Sequence, residues 1–259
     1  MKIEVFNPNN PGAKFTKNTE FTLVSYYHEL EKKGDKNLNF SDFRIYMQKS
    51  FGINNSNSRN IFAFCKNCGL LDYESGQGIC FNSFFTPLGK AYIKAIESIS
   101  ILKNQASLSA DEKASLNQFL ELRKTIIFQC LKNLLKQIDC DYVSVLQDML
   151  TFLINYNSID KNEYALLLYF NRNKKELETT VLKYREYKIN IDVWVNVRND
   201  DSGIKGERIL KNDIGFLTSW SYLIGMLVEA GLVEKDNQRY CLLQGKTELV
   251  KELIGVEND

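Results

Sequence analysis

Apolar residues recur along this chain mostly at three- and four-residue intervals, the spacing that lays one face of a helix against a core. Phe21 to Lys33 is expected as a helix stopped by Gly34. A second, Phe40 to Phe51, carries Phe40, Phe43, Met47 and Phe51 along one face and stops at Gly52. A third follows the polar loop Ile53 to Asn57 and ends at Cys68. Leu70 to Tyr73 and Ile79 to Phe85 then read as two strands around the turn Glu74-Ser75-Gly76-Gln77-Gly78. Thr86-Pro87 opens another helix, with Thr86 as N-cap and Pro87 in the first helical position. After a break at Lys103 to Leu108, the capping box Ser109-Ala110-Asp111-Glu112 begins a long helical stretch. Its stripes run through Leu116, Phe119, Leu120, Ile127, Leu131, Leu134 and Ile138, then through Val145, Leu146, Met149, Leu150 and Leu153. Asp160-Lys161-Asn162-Glu163 is a second capping signal, and a charged helix is expected from about Lys174 to Tyr187. Asp192 to Ile209, rich in Asn, Asp and Gly, is expected as a loop.

One local pattern occurs twice. Ser56 to Ile96 and Thr218 to Ile254 each read as a polar-capped helix ended by Gly-Leu, a strand, a tight polar turn, a second strand, and a helix opened by Gly-Lys. Gly69 and Gly231 fall where a helix end needs the left-handed conformation. That order of elements is the winged helix, a helix-turn-helix relative whose middle helix commonly lies in a DNA major groove. The expected fold is therefore mainly α, with two winged-helix units joined by a helical middle region. The expected divisions are 1–105 for the N-terminal DNA-recognition unit, 106–190 for the helical connection and 191–259 for the second winged-helix unit.

Composition sharpens this picture in a few places. At 259 residues and 44% hydrophobic, the chain has material for two or three cores. No apolar run approaches the roughly 18 residues of a membrane span, and MKIEVFNPNNPGAKF lacks the features of a secretory signal. Six scattered cysteines fit reduced thiols, so a cytoplasmic location and no membrane partner are expected. Net charge is only +1, which excludes a general phosphate-coating protein. Its distribution is uneven: residues 1–105 carry 13 Lys/Arg against 9 Asp/Glu, and residues 186–259 carry 9 against 13. The N-terminal unit is thus the better candidate for the main DNA contact.

The densest polar cluster is Asn54 to Asn60, at the start of the third helix. Asn and Arg pair bidentately with adenine and guanine edges, so Asn55, Asn57, Ser58, Arg59 and Asn60 are candidate readers; an ordinary capped loop is the plain alternative. Lys14, Lys17 and Arg44 are candidate phosphate contacts. The matching edge of the second unit supplies Lys211, Asn212, Ser219, Ser221 and Tyr222, with Trp220 open to a core role. Cys65 and Cys68 with Cys80 and the single His28 could be assembled into a zinc site, but the first two occupy apolar core positions, and no metal is expected. Nuclease chemistry needs converging carboxylates around Mg²⁺. None of Pro8, Pro11 or Pro87 is followed by an acid, and Glu31-Lys32-Lys33, Asp111-Glu112-Lys113 and Val233-Glu234-Lys235 lie on helices or a wing. No catalytic residue is assigned.

Three stretches, NPGAKF at 10–15, SNSRNIFAFCKNCGLLDYES and FFTPLGKAYIKAIES, resemble the N-terminal recognition unit of FokI-like and AlwI-like type IIS restriction endonucleases. SWSYLIGMLVEAGLVEKDNQRYCL is similar to their second winged-helix unit, and EYALLLYFNRNKKELETTVLKYRE to the helical stretch between. The resemblance implies sequence-specific binding of double-stranded DNA as the recognition domain or specificity subunit of a type II restriction endonuclease. It implies no cofactor in this chain, with Mg²⁺ expected only for a separate nuclease domain or subunit. That family's cleavage domain has no counterpart here. A plasmid replication initiator and a dimeric winged-helix transcription regulator are the rival readings.

Overall fold

The computed structural model describes residues 1–74, 77–137, 140–170, 173–198 and 208–255. Ser75 and Gly76 of the expected turn, Ile138 of the helical stripe, and residues 199–207 of the expected loop lie outside them. Within the described residues the chain is mainly helical with small sheets, and no helix is long and apolar enough to cross a membrane. It folds as two compact units, residues 11–137, and residues 138–259 together with the first ten.

β1 (Lys2–Phe6) opens the chain and belongs to the second of these units. In the 11–137 unit, α1 (Lys17–Lys33), β2 (Leu38–Asn39), α2 (Phe40–Phe51) and α3 (Asn55–Asn67) follow in order. α1 starts four residues before Phe21 because the Thr16 side chain caps it, accepting from the Thr19 N–H at 3.3 Å. Edge-to-face aromatic pairs join the three helices: Tyr26 meets Phe43 at 5.4 Å and Phe62 at 4.6 Å between ring centres. Gly69, at φ 76°, turns the chain out of α3.

Ile79–Phe85, expected as the return strand of a hairpin, is not one strand. β3 (Gly78–Ile79) pairs antiparallel with β2, Leu38 opposite Ile79, and gives way to the short helix α4 (Phe81–Phe84). The cause lies in the phenylalanines. Adjacent side chains of a strand point to opposite faces, yet Phe84 and Phe85 are both buried. A helical turn carries Phe81 and Phe84, and the chain leaves it in extended form at Phe85; Phe81 and Phe85 meet Tyr27 and Phe84 meets Phe62. The expected outgoing strand, Leu70 to Tyr73, is likewise not a strand: only Leu71 pairs, in an isolated antiparallel bridge with Phe85. α5 (Pro87–Lys103) and α6 (Ala110–Leu134) complete the unit, with the Thr86 cap, Pro87 at the helix start, and a two-way Ser109–Glu112 capping box.

The other unit contains α7 (Asp141–Tyr156), β4 (Ser158–Ile159), α8 (Lys161–Phe170) and α9 (Lys174–Tyr187). β5 (Asp192–Arg198) and β6 (Arg208–Lys211) come next, then a 3-10 turn at Ile214–Phe216, α10 (Thr218–Glu229), β7 (Val233–Asp236), β8 (Arg239–Leu242) and α11 (Thr247–Ile254). The expected loop at Asp192–Ile209 is therefore corrected: it contains β5 and the start of β6. Val193 and Val195 are buried and alternate with half-exposed Asp192, Trp194 and Asn196, the two-residue period of a one-sided sheet. The partner is distant, since β5 pairs in parallel with β1, whose Ile3 and Val5 are also buried. The stretch expected as helical at 106–190 contributes α6 to one unit and α7 to α9, with β4 among them, to the other.

A topological parallel links the units. In each, a two-residue strand between the first and second helices pairs with a strand that follows a later helix: β2 with β3, and β4 with β8. β8 in turn pairs with β7, giving the order β4-β8-β7.

Candidate nucleic-acid interface

α3 begins where Gly52, left-handed at φ 68°, ends α2 and buried Ile53 pins the turn. The Asn54 side-chain oxygen accepts from the Ser56 N–H at 2.9 Å and the Asn57 N–H at 3.1 Å, satisfying the first-turn donors. Ser58, Ile61, Phe62, Phe64 and Cys65 face inward. The opposite face exposes Ser56, Asn57, Arg59, Asn60, Ala63 and Lys66. No Asp or Glu occurs anywhere in α3. A polar, acid-free helix face with one small residue at Ala63 suits close approach to a polyanion.

The candidate readers separate on this helix. Asn57, Arg59 and Asn60 are all exposed, Asn57 and Asn60 one turn apart and Arg59 about 200° around the helix from Asn57, while Asn55 is half-buried at the first helical position. Ser58 is buried, its hydroxyl donating to the Asn55 carbonyl at 2.9 Å. Of the phosphate candidates, Lys17 is exposed at the start of α1, and Lys14 is half-buried in the segment before it. Gly12, at φ 80°, lies beside Asn60, where an added Cβ would be in ordinary contact, 3.6 Å from the Asn60 Cβ. The stretch leading to Lys14 therefore runs beside the start of α3. Arg44 is different in kind: it is buried, at 9% exposure, with its guanidinium 5.1 Å from the Phe40 ring centre.

In the other unit, Ser221 is exposed on α10 and its hydroxyl donates to the Thr218 carbonyl at 3.0 Å; Tyr222 is half-buried. Asn212 is exposed, and the Lys211 ammonium lies 6.0 Å from the Phe216 ring centre. Ser219 is buried, sharing a hydrogen bond with Tyr164 at 2.8 Å and donating to the Asn7 side-chain oxygen at 2.9 Å. Asn7 also donates to the Thr218 hydroxyl at 2.9 Å, and its side-chain oxygen accepts from the Ser219 N–H at 3.3 Å, so the segment after β1 caps α10. Trp220 is buried against Tyr164 and Tyr240.

The thiols and the histidine lie apart in function. Cys65 and Cys68 are fully buried, and burial pushes both thiols well up, with Cys130 as a close neighbour. Half-buried Cys80 hydrogen-bonds Ser83 at 3.2 Å, which lowers its pKa. His28 pairs with Glu97 across α1 and α5. Among the described residues no three His, Cys, Asp or Glu side chains form a group that could hold a metal ion.

Two sets of residues carried no functional signal in the sequence. One is a charge network in the second unit: Asp160 and Glu163 cap α8 reciprocally, Arg185 donates to Glu163 at 2.7 Å, and Arg239 reaches both carboxylates. The capping signal exposes half of it; Arg239 is 76 residues from Glu163, beyond any local pattern. The other is Tyr26, buried at the meeting of the first three helices, where burial pushes its pKa up to about 12 against the opposing effects of Ser58 and Arg44. Comparison with protein-family models, with curated proteins and with solved structures finds no match.

Proposed function

We propose that this chain reads double-stranded DNA by sequence, through two winged-helix units, as the recognition part of a type II, type IIS-like restriction endonuclease. The observation that carries the reading is the exposed, polar start of α3, where Asn57, Arg59 and Asn60 are all open to solvent and the helix holds no acid. The element order supports it. α1, β2, α2, α3 and the Leu71–Phe85 pairing follow a winged-helix order, with α4 inserted in the wing. α7, β4, α8, α10 and the β7–β8 hairpin repeat it, with α9, β5 and β6 inserted before the third helix. The first unit is the main reader, because the polar start of α3 is exposed whereas that of α10 is engaged by Asn7. Magnesium-dependent cleavage belongs, in this reading, to a nuclease domain or subunit.

Arg59→Ala tests the assignment. Loss of one bidentate base contact weakens binding to the preferred duplex by about 1–3 kcal/mol and relaxes preference at one base position. Lys17→Ala weakens preferred and scrambled duplexes alike. An Arg59→Ala chain that discriminates as the parent does would reduce Arg59 to a surface residue.

A further inference from the structure

Polar groups that converge on a cavity without pairing with one another are the usual mark of a small-molecule site. In the second unit, α7, α8 and α9 enclose a cleft of about 530 Å³, a size such sites commonly have. Its floor is apolar, formed by buried Phe152 and Leu167. Its walls carry charge of both signs, with Asp148 and Asn155 on α7 and Lys174 and Glu178 on α9. Lys174 and Glu178 stand one turn apart, a spacing at which opposite charges commonly pair. Among the described residues, however, none of these four side chains has a hydrogen bond or an ion pair. The α9 charges are turned toward α7. Burial pushes the Asp148 carboxyl up while Lys174 draws it down, and the Tyr156 phenol, raised first by burial, is raised further by Glu178. Asp148 is the half-buried member of the set, so its charge is held at a cost that a neighbouring cation would relieve. Asn155, Lys174 and Glu178 are exposed, which leaves the cleft open to solutes.

We propose that this cleft binds a small zwitterion of the α-amino-acid class, its ammonium held by Asp148 and Glu178 and its carboxylate by Lys174 and Asn155. The chemistry of the groups selects that class. A simple anion meets two carboxylates, and a simple amine leaves Lys174 opposed rather than paired. A molecule carrying both charges satisfies both signs through charge-assisted hydrogen bonds. Phe152 and Leu167 supply an apolar surface for its carbon skeleton. The site lies on neither α3 nor α10, so it stands or falls apart from the DNA-binding proposal.

The test uses the full chain and the variants Asp148→Asn, Glu178→Gln and Lys174→Gln. Each is melted alone and with each common amino acid at millimolar concentration, at fixed pH and ionic strength. Titration calorimetry then follows any amino acid that raises the melting temperature, beside its matched amine without the carboxylate and its matched acid without the amine. The site predicts that at least one amino acid stabilises the parent and that neither matched compound does so comparably. Each variant binds that amino acid about 10- to 100-fold more weakly, the loss expected for one hydrogen bond to a charged group. Lys174→Gln also narrows the preference for the amino acid over its amine, a change that a structural lesion would not produce. Should Asp148→Asn fail to fold, the exposed pair Glu178→Gln and Lys174→Gln decides the site by the same criteria. No response from any amino acid overturns the site and leaves a solvent-filled cleft. A response that survives both Glu178→Gln and Lys174→Gln places binding elsewhere and overturns it equally. An amine that binds as tightly as its amino acid overturns the zwitterion assignment.

Discussion

A carboxylate inside a small helical unit keeps its charge only where donors surround it, and Glu29 shows the arrangement. Its side chain is 7% exposed, one oxygen accepting from Lys32 at 2.5 Å and the other from the Tyr46 hydroxyl at 2.9 Å. The Lys32 hydrogen bond, aided by Tyr46, holds the carboxyl below its ordinary range against the opposing effect of burial. A depressed folded-state pKa adds stability that is present above the unfolded value and is lost as pH falls through the folded one. Glu29→Gln therefore destabilises the protein most near neutral pH, and the gap from the parent closes as the medium is acidified below about pH 4, where the free carboxyl also titrates. Melting curves of both chains across that range check this; a gap that widens in acid contradicts it. At the same scale, residue type in the sequence points to chemistry but not to direction. Arg59 and Ser58 are neighbours in one polar run, yet one faces solvent and the other the core. A single step along a helix turns the side chain by about 100°.

Elements were legible where their signals are local. Thr86-Pro87, Ser109 with Glu112, and Asp160 with Glu163 mark helix starts through groups three residues apart, and each cap forms in the structure. Gly69 and Gly231 adopt the left-handed conformation that their position after a helix demands. α4 and β5 were not legible, because their conformation depends on distant partners: Phe81 and Phe84 pack on α1 and α3, and β5 needs β1. Close packing also explains the repeated Gly-Lys at helix starts in one of its two cases. A Cβ on Gly89 would lie 2.0 Å from the Leu70 carbonyl oxygen, which the Thr86 N–H and hydroxyl also engage. Gly89→Ala forces this helix start away from the end of α3 and costs about 1–3 kcal/mol, the typical price of overpacking. Denaturant unfolding of the variant measures it, and unchanged stability would show that the joint yields freely. Gly245 makes no such approach; nothing lies within 4 Å of its would-be Cβ.

The whole molecule repeats one order of elements in two units, and each repetition is interrupted differently. The first carries α4 between β3 and the Phe85 bridge; the second carries α9, β5 and β6 before its third helix. The local copies seen in the sequence, Ser56–Ile96 and Thr218–Ile254, cover only the later half of each unit, since the strand that completes each sheet comes before the third helix. The proposed DNA recognition rests most heavily on the exposed face of α3. Selection of bound sequences from a random duplex library, repeated with Arg59→Ala, tests that claim most directly. The account predicts enrichment of one asymmetric motif bound by a single chain, with one base position relaxed in the variant. Enrichment of a palindrome bound by two chains would contradict the restriction-type reading, and no enrichment over random duplex would contradict sequence recognition altogether.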